Sequence, residues 1–63
     1  MKPEELRELR KQAGITQEQL AGLLGRDRMT ISRWESGKVP IDFAKELAIR
    51  AVFAGLKKRL TPP

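Results

Sequence analysis

The 63-residue chain contains no histidine, no cysteine and no tyrosine. Without imidazole or thiolate there is no ligand set for a zinc finger, no thiol nucleophile and no imidazole base. Its eight carboxylates are scattered among helix ends, and no glycine-rich loop of the phosphate-cradling kind is present. An enzyme is therefore not expected, nor a metal, a cofactor or a small-molecule ligand. The lack of cysteine also excludes disulfides, although a domain of this length buries only about 60% of the surface its unfolded chain exposes. Self-association is one way to supply the missing burial. No apolar run approaches the roughly 18 residues of a membrane span, and no secretory leader core is present. A single cytoplasmic domain over residues 1–63, without membrane contact, is the expectation.

What the chain has is positive charge, unevenly placed. Thirteen Lys/Arg stand against eight Asp/Glu, a net of +5. Residues 1–25 balance. Residues 26–38 carry Arg26, Arg28, Arg33 and Lys38 against Asp27 and Glu35, and residues 39–63 carry Lys45, Arg50, Lys57, Lys58 and Arg59 against Asp42 and Glu46. Such an excess suits nucleic acid, but it suits acidic protein surfaces as well.

Local signals divide the chain into helices. Pro3 fits a first helical turn, Glu4 and Glu5 favour the positive end of its dipole, and Lys11 the negative end. Leu6, Leu9 and Ala13 mark a buried face, and Gly14 stops the helix, giving about 3–13. Ile15 then turns inward. Thr16 with Gln19 has the form of a capping box, followed by the apolar residues Leu20, Ala21, Leu23 and Leu24. Gly25 stands where the chain must leave that helix with positive φ. Asp27 caps the next helix, in which Ile31 and Trp34 lie one turn apart, and Gly37 ends it. Helices over about 17–24 and 28–36, joined by a short glycine-containing turn, make a helix-turn-helix. Val39-Pro40 reads as an extended connection and Asp42 as the cap of a last helix to about residue 57. The fold class is all-α with four helices; a fifth, short C-terminal turn is the open alternative.

Gln17, Leu20, Ala21, Leu24, Gly25, Ile31, Trp34, Glu35 and Gly37 together resemble the Cro/C1-type helix-turn-helix family, to which lambda repressor belongs and which is also called the XRE family. Leu6-Arg-Glu-Leu9 and Arg10-Lys-Gln-Ala-Gly-Ile15 fit as well, so the resemblance covers roughly residues 3–54. Arg26 departs from it, standing where the family usually has a small apolar residue that plugs the turn. The resemblance implies that Gln17 binds a DNA phosphate and steadies the first residue of the recognition helix; an ordinary exposed glutamine is the bland alternative. It also implies that Glu35 pairs with a basic residue of the first helix, at the place Arg10 occupies. Very small members of the family look like products of phages and other mobile elements. Some are autorepressors associated with anti-CRISPR operons.

In a helix-turn-helix the second helix enters the major groove and its N-terminal residues reach base edges. Arg28, Met29, Ser32 and Arg33 are the candidates here. An arginine fork matches O6 and N7 of guanine, and Met29 suits a thymine methyl. Either arginine could instead neutralise a phosphate. Thr30, Ser36 and Lys38 are candidate phosphate contacts or simply solvated. Trp34 reads as core rather than as a base-stacking platform.

The last helix is apolar on two sides. At about 100° per residue, Ala44, Leu47, Ala48, Ala51 and Gly55 fall on one side, and Ile49, Val52, Phe53, Leu56 and Leu60 on the other. The small stripe is expected to pack under the first three helices, and the large one to be covered by a second subunit. The alternative is that Ile49 or Phe53 wraps back onto Trp34 or the first helix. Residues 57–63 read as a basic, fraying tail. The leading function is a homodimeric repressor, acting on its own operon, that reads a palindromic operator in double-stranded DNA. The competing one is a protein-binding module, such as an antitoxin whose last helix covers a toxin.

Overall fold

The structure is a computed structural model that describes residues 1–60, the side chains of 57–60 excepted. Four helices follow in order: α1 Pro3–Ala13, α2 Gln17–Leu24, α3 Arg28–Ser36 and α4 Phe43–Leu60. The first three have the expected bounds: α1 starts at Pro3 without a side-chain cap, and the caps of the later helices are local side-chain hydrogen bonds. Thr16 Oγ1 accepts the Gln19 N–H at 3.0 Å, and Gln19 Oε1 accepts the Thr16 N–H at 2.8 Å, closing the capping box. Asp27 Oδ1 accepts the Thr30 N–H at 2.8 Å, and Asp42 Oδ1 the Lys45 N–H at 2.9 Å.

At the other ends, Gly25 and Gly37 take φ of +68° and +82°, the left-handed region that costs other residues a Cβ clash. This turns the Arg26 N–H back onto the Ala21 carbonyl at 2.8 Å, and the Lys38 N–H onto that of Arg33 at 3.0 Å. Both are six-to-one closures that satisfy otherwise orphaned carbonyls.

Leu6, Leu20, Ala21, Ile31, Trp34, Ile41 and Ile49 form the core. Leu6, Leu20, Ile31 and Ile49 come from one helix each and are fully buried, each contributing about 1.5–3 kcal/mol over exposure. Ala21, small and buried on α2, permits the close approach of α3, against which α2 packs.

The faces of α4 are the reverse of the expected ones. Ile49, assigned from sequence to a subunit interface, is fully buried in this chain's own core, and Val52 and Phe53 pack partly against it. Leu56 is half-buried. Ala44, Leu47, Ala48, Ala51 and Gly55 are exposed instead. Volume decides this: Leu6, Leu20, Ile31 and Trp34 leave a space that alanines would not fill, and unfilled space forfeits contact energy. The large stripe was the only one able to close the core. Helix α4 also runs three residues past its expected end. Of the expected 57–63 tail, the side chains of 57–60, Leu60 included, and all of 61–63 lie outside the described residues.

Met1 is held against α4. Its ammonium donates to Glu46 Oε1 at 2.7 Å, and Arg50 bridges Glu46 Oε2 at 2.8 Å and Glu5 Oε2 at 2.7 Å. The ammonium first, and Arg50 second, hold the Glu46 carboxyl below its ordinary range. These contacts fasten α4 to the chain start and to α1.

Candidate nucleic-acid interface

Helix α3 sorts its residues by angle. Ile31, Trp34 and Glu35 point inward and are buried, while Arg28, Met29, Ser32, Arg33 and Ser36 share the opposite side over about 140° of arc. Met29 is 56% exposed, Arg28, Arg33 and Ser36 are exposed, and Ser32 is half-buried. Met29 is thus an exposed apolar side chain on that face.

The one carboxylate of α3 is withdrawn from that surface. Glu35 is 4% exposed. Its Oε2 accepts the Arg10 Nε–H at 2.7 Å, and its Oε1 accepts Arg10 Nη2 at 3.1 Å and Gln17 Nε2 at 3.2 Å. Arg7 Nη2 donates to the Glu35 backbone carbonyl at 3.1 Å, with its Nε 4.0 Å from the carboxylate. Arg10 also holds the Ile15 carbonyl through Nη1 at 3.0 Å. The Glu35 hydrogen bonds raise the Arg10 pKa further above its already high ordinary value. A fork-to-fork pair of this kind fixes orientation as well as charge. It ties α1 and the start of α2 to the last turn of α3 and leaves the outward face of α3 free of negative charge.

Among the described residues, Arg26, Arg28, Arg33 and Lys38 make no ion pair. Arg33 lies close enough to Asp27 to help depress its carboxyl, although the Thr30 hydroxyl and N–H are the larger causes. The polar residues expected on phosphates are partly engaged within the chain. The Thr30 hydroxyl donates to Asp27 Oδ1 at 2.6 Å, and that of Ser36 to the Arg33 carbonyl at 3.2 Å. Gln17 is half-buried with its amide on Glu35, and Lys38 is exposed beyond Gly37. Ser36 and Lys38 therefore sit at the C-terminal end of α3, while Gln17 stands at the start of α2.

A helix-turn-helix domain family model matches residues 4–59, which span all of α2 and α3 and all but one residue each of α1 and α4. The chain belongs to the helix-turn-helix domain family. No curated protein and no solved structure matches it significantly. As a helix-turn-helix domain it is a DNA-binding protein, with α2 and α3 as the motif and α3 as the recognition helix. Among the described residues, no helix is long and apolar enough to cross a membrane. No group of carboxylates there is arranged to hold a metal ion.

Sequence reasoning missed two contributors to the helix-turn-helix domain. Arg7 was an unremarked exposed residue of α1, and its contact with the Glu35 carbonyl is visible only once α1 and α3 are packed. Lys45 lines the same surface cavities as Arg26 and Trp34, bringing α4 to the edge of the motif. No spacing rule links positions so far apart in the chain.

Proposed function

We propose that this helix-turn-helix domain is a sequence-specific transcriptional regulator, a homodimer that represses by occupying an inverted-repeat operator. The observation that carries it is the division of α3. Its outward face presents two unpaired arginines and an exposed methionine, and its one carboxylate is turned inward and neutralised. Arg28 and Arg33 are assigned to guanine edges, Met29 to a thymine methyl and Ser32 to a neighbouring base, and Gln17, Ser36 and Lys38 to flanking phosphates. Thr30 serves the helix cap first and a phosphate second. Occupation of a promoter excludes polymerase without any further surface, which favours repression, including of the gene that encodes the chain.

A second copy is assigned to the exposed apolar side of α4. Phe43 and Leu47 are 73% and 54% exposed, and exposed Ala51 lies beside them. A two-fold contact there uses the same patch twice and places two recognition helices on one side of the duplex. Successive major grooves on that side are about 34 Å apart.

The test is fluorescence anisotropy on a duplex recovered by selection from random sequence, against a scrambled duplex, over a salt series. The wild type is expected to prefer the selected duplex, and Arg33→Ala to lose that preference. Equal, steeply salt-dependent binding to both duplexes would reduce the domain to phosphate attraction. Sedimentation equilibrium tests the dimer: a monomer at all concentrations would leave the α4 face to a different protein, as in the antitoxin reading.

A further inference from the structure

Two shallow surface cavities adjoin beside the recognition helix. One is lined by Leu24, Arg26, Trp34, Ala44, Lys45 and Ala48. The other shares Arg26, Trp34 and Lys45 with it and adds Thr30, Arg33 and Val39. Together they form a cleft whose floor is the Trp34 indole and whose walls carry three cations from three elements: Arg26 from the turn, Arg33 from α3 and Lys45 from the first turn of α4.

Two carboxylates are hydrogen-bonded to residues that line the cleft, and both are already engaged. Asp27 holds the Thr30 N–H and hydroxyl through one oxygen. Asp42 caps α4 through Oδ1, and its Oδ2 meets Lys45 Nζ only at 3.5 Å. Arg26 has no carboxylate partner among the described residues. The cleft thus presents more positive charge than its own acids neutralise, held by a helix cap on each side.

We infer that this cleft is a binding site for a DNA backbone phosphate, clamped between Arg26 and Lys45 and lying alongside the strand whose bases Arg33 faces. The assignment rests on the DNA-reading function proposed above. Arg33 decides the source of the phosphate. It belongs both to the cleft and to the outward face of α3, so whatever fills the cleft is continuous with what that face touches. A duplex with α3 in its major groove runs a sugar-phosphate strand along each side of the helix. Cations from the turn and from α4 hold register there while reading no base. At the position of Arg26 the resemblance calls for a small apolar plug. The arginine gives up that plug and adds a charge that α4 complements with Lys45.

The experiment is a set of salt titrations with Arg26→Gln, Lys45→Gln and the double variant on the selected and scrambled duplexes, with Lys11→Gln as a charge-matched control on α1. The double variant is expected to bind both duplexes about tenfold more weakly, with the slope of log affinity against log salt reduced by about 0.9, one phosphate's worth. Base preference stays unchanged and Lys11→Gln binds within about twofold of wild type by the same screening logic. The charge-conserving Arg26→Lys and Lys45→Arg are expected to retain affinity. Circular dichroism verifies the fold of each variant.

Unaltered affinity and slope in a folded double variant would overturn the inference while leaving the regulator reading intact. Failure of the wild type to bind any duplex would remove that reading and the inference together. Loss confined to the selected duplex would mean that Arg26 or Lys45 reads a base, again overturning the phosphate assignment. In a separate arm, pyrophosphate is titrated into the free protein under Trp34 fluorescence. Saturable binding abolished in the double variant, with no change in DNA affinity, would assign the cleft to a free anion and overturn its assignment to DNA.

Discussion

The Arg10–Glu35 pair gives the sharpest energetic test. Arg10→Met keeps most of the stem and removes the Nε and Nη2 donors to a carboxylate that is 4% exposed. Gln17 Nε2 at 3.2 Å remains, and Arg7 Nε stands 4.0 Å away on a half-exposed side chain. Breaking a buried pair from one side typically costs about 3–5 kcal/mol because the other charge is stranded. Here Arg7 can swing in, which places the expectation near the lower end, at about 3 kcal/mol. A 63-residue domain has about 3–9 kcal/mol in all, so the variant is expected to sit at the edge of unfolding. Replacing both partners, as Arg10→Met with Glu35→Met, removes the stranded charge and is expected to recover most of the loss. Urea unfolding followed by circular dichroism on all four members of the cycle yields the coupling energy. A loss below about 1 kcal/mol in Arg10→Met, with no recovery in the double variant, would mean the pair behaves as an exposed surface bridge. The view of Glu35 as a buried tie between helices would then be wrong.

The reversal of the α4 faces predicts opposite outcomes for neighbouring positions. Ile49→Ala is expected to cost about 2–5 kcal/mol, whereas Leu47→Ser should leave the melting temperature nearly unchanged and lower the mass seen by sedimentation. Thr16→Ala opens the capping box and is expected to cost about 1 kcal/mol, a drop of about 4–8 °C in the melting temperature for a domain of this size. Asp27 and Asp42 have folded-state pKa values below their ordinary ones, through the Thr30 hydroxyl and N–H and the Lys45 N–H respectively. Their contribution is therefore complete above the unfolded value of about 4 and is lost as pH falls through the lower folded values. Asp27→Asn keeps an acceptor at the cap without a titrating group. Thermal melts from neutral to strongly acidic pH should show it losing less stability on acidification than the wild type does.

The contrast between the first three helices and the fourth explains what was legible in the sequence. Thr16, Asp27, Gly25 and Gly37 act within a few residues of themselves, so their positions alone set the bounds of α2 and α3. Glu35 on an otherwise basic helix signalled an inward partner, and resemblance to a known family supplied Arg10. Helix α4 carried two apolar stripes, and periodicity finds both without ranking them. The ranking depends on the volume left by Leu6, Leu20, Ile31 and Trp34, which exists only after the other helices meet. Ile41 shows the same limit, since a residue of an extended connection ends 8% exposed in the core. Lys45 and Arg26 are brought to one cleft by the same packing and share no local pattern.

Trp34 is the only tryptophan of the chain, 3% exposed on the inner side of the recognition helix and underlying the basic cleft. The molecule therefore carries a single indole fluorophore that belongs to the core and does not stand on the outward face of α3. Unfolding exposes the indole to water and shifts its emission to longer wavelength. An anion settling between Arg26 and Lys45 changes intensity while the ring stays buried and the wavelength holds. One spectrum can thus separate loss of the fold from occupation of the cleft, with no label attached to the protein.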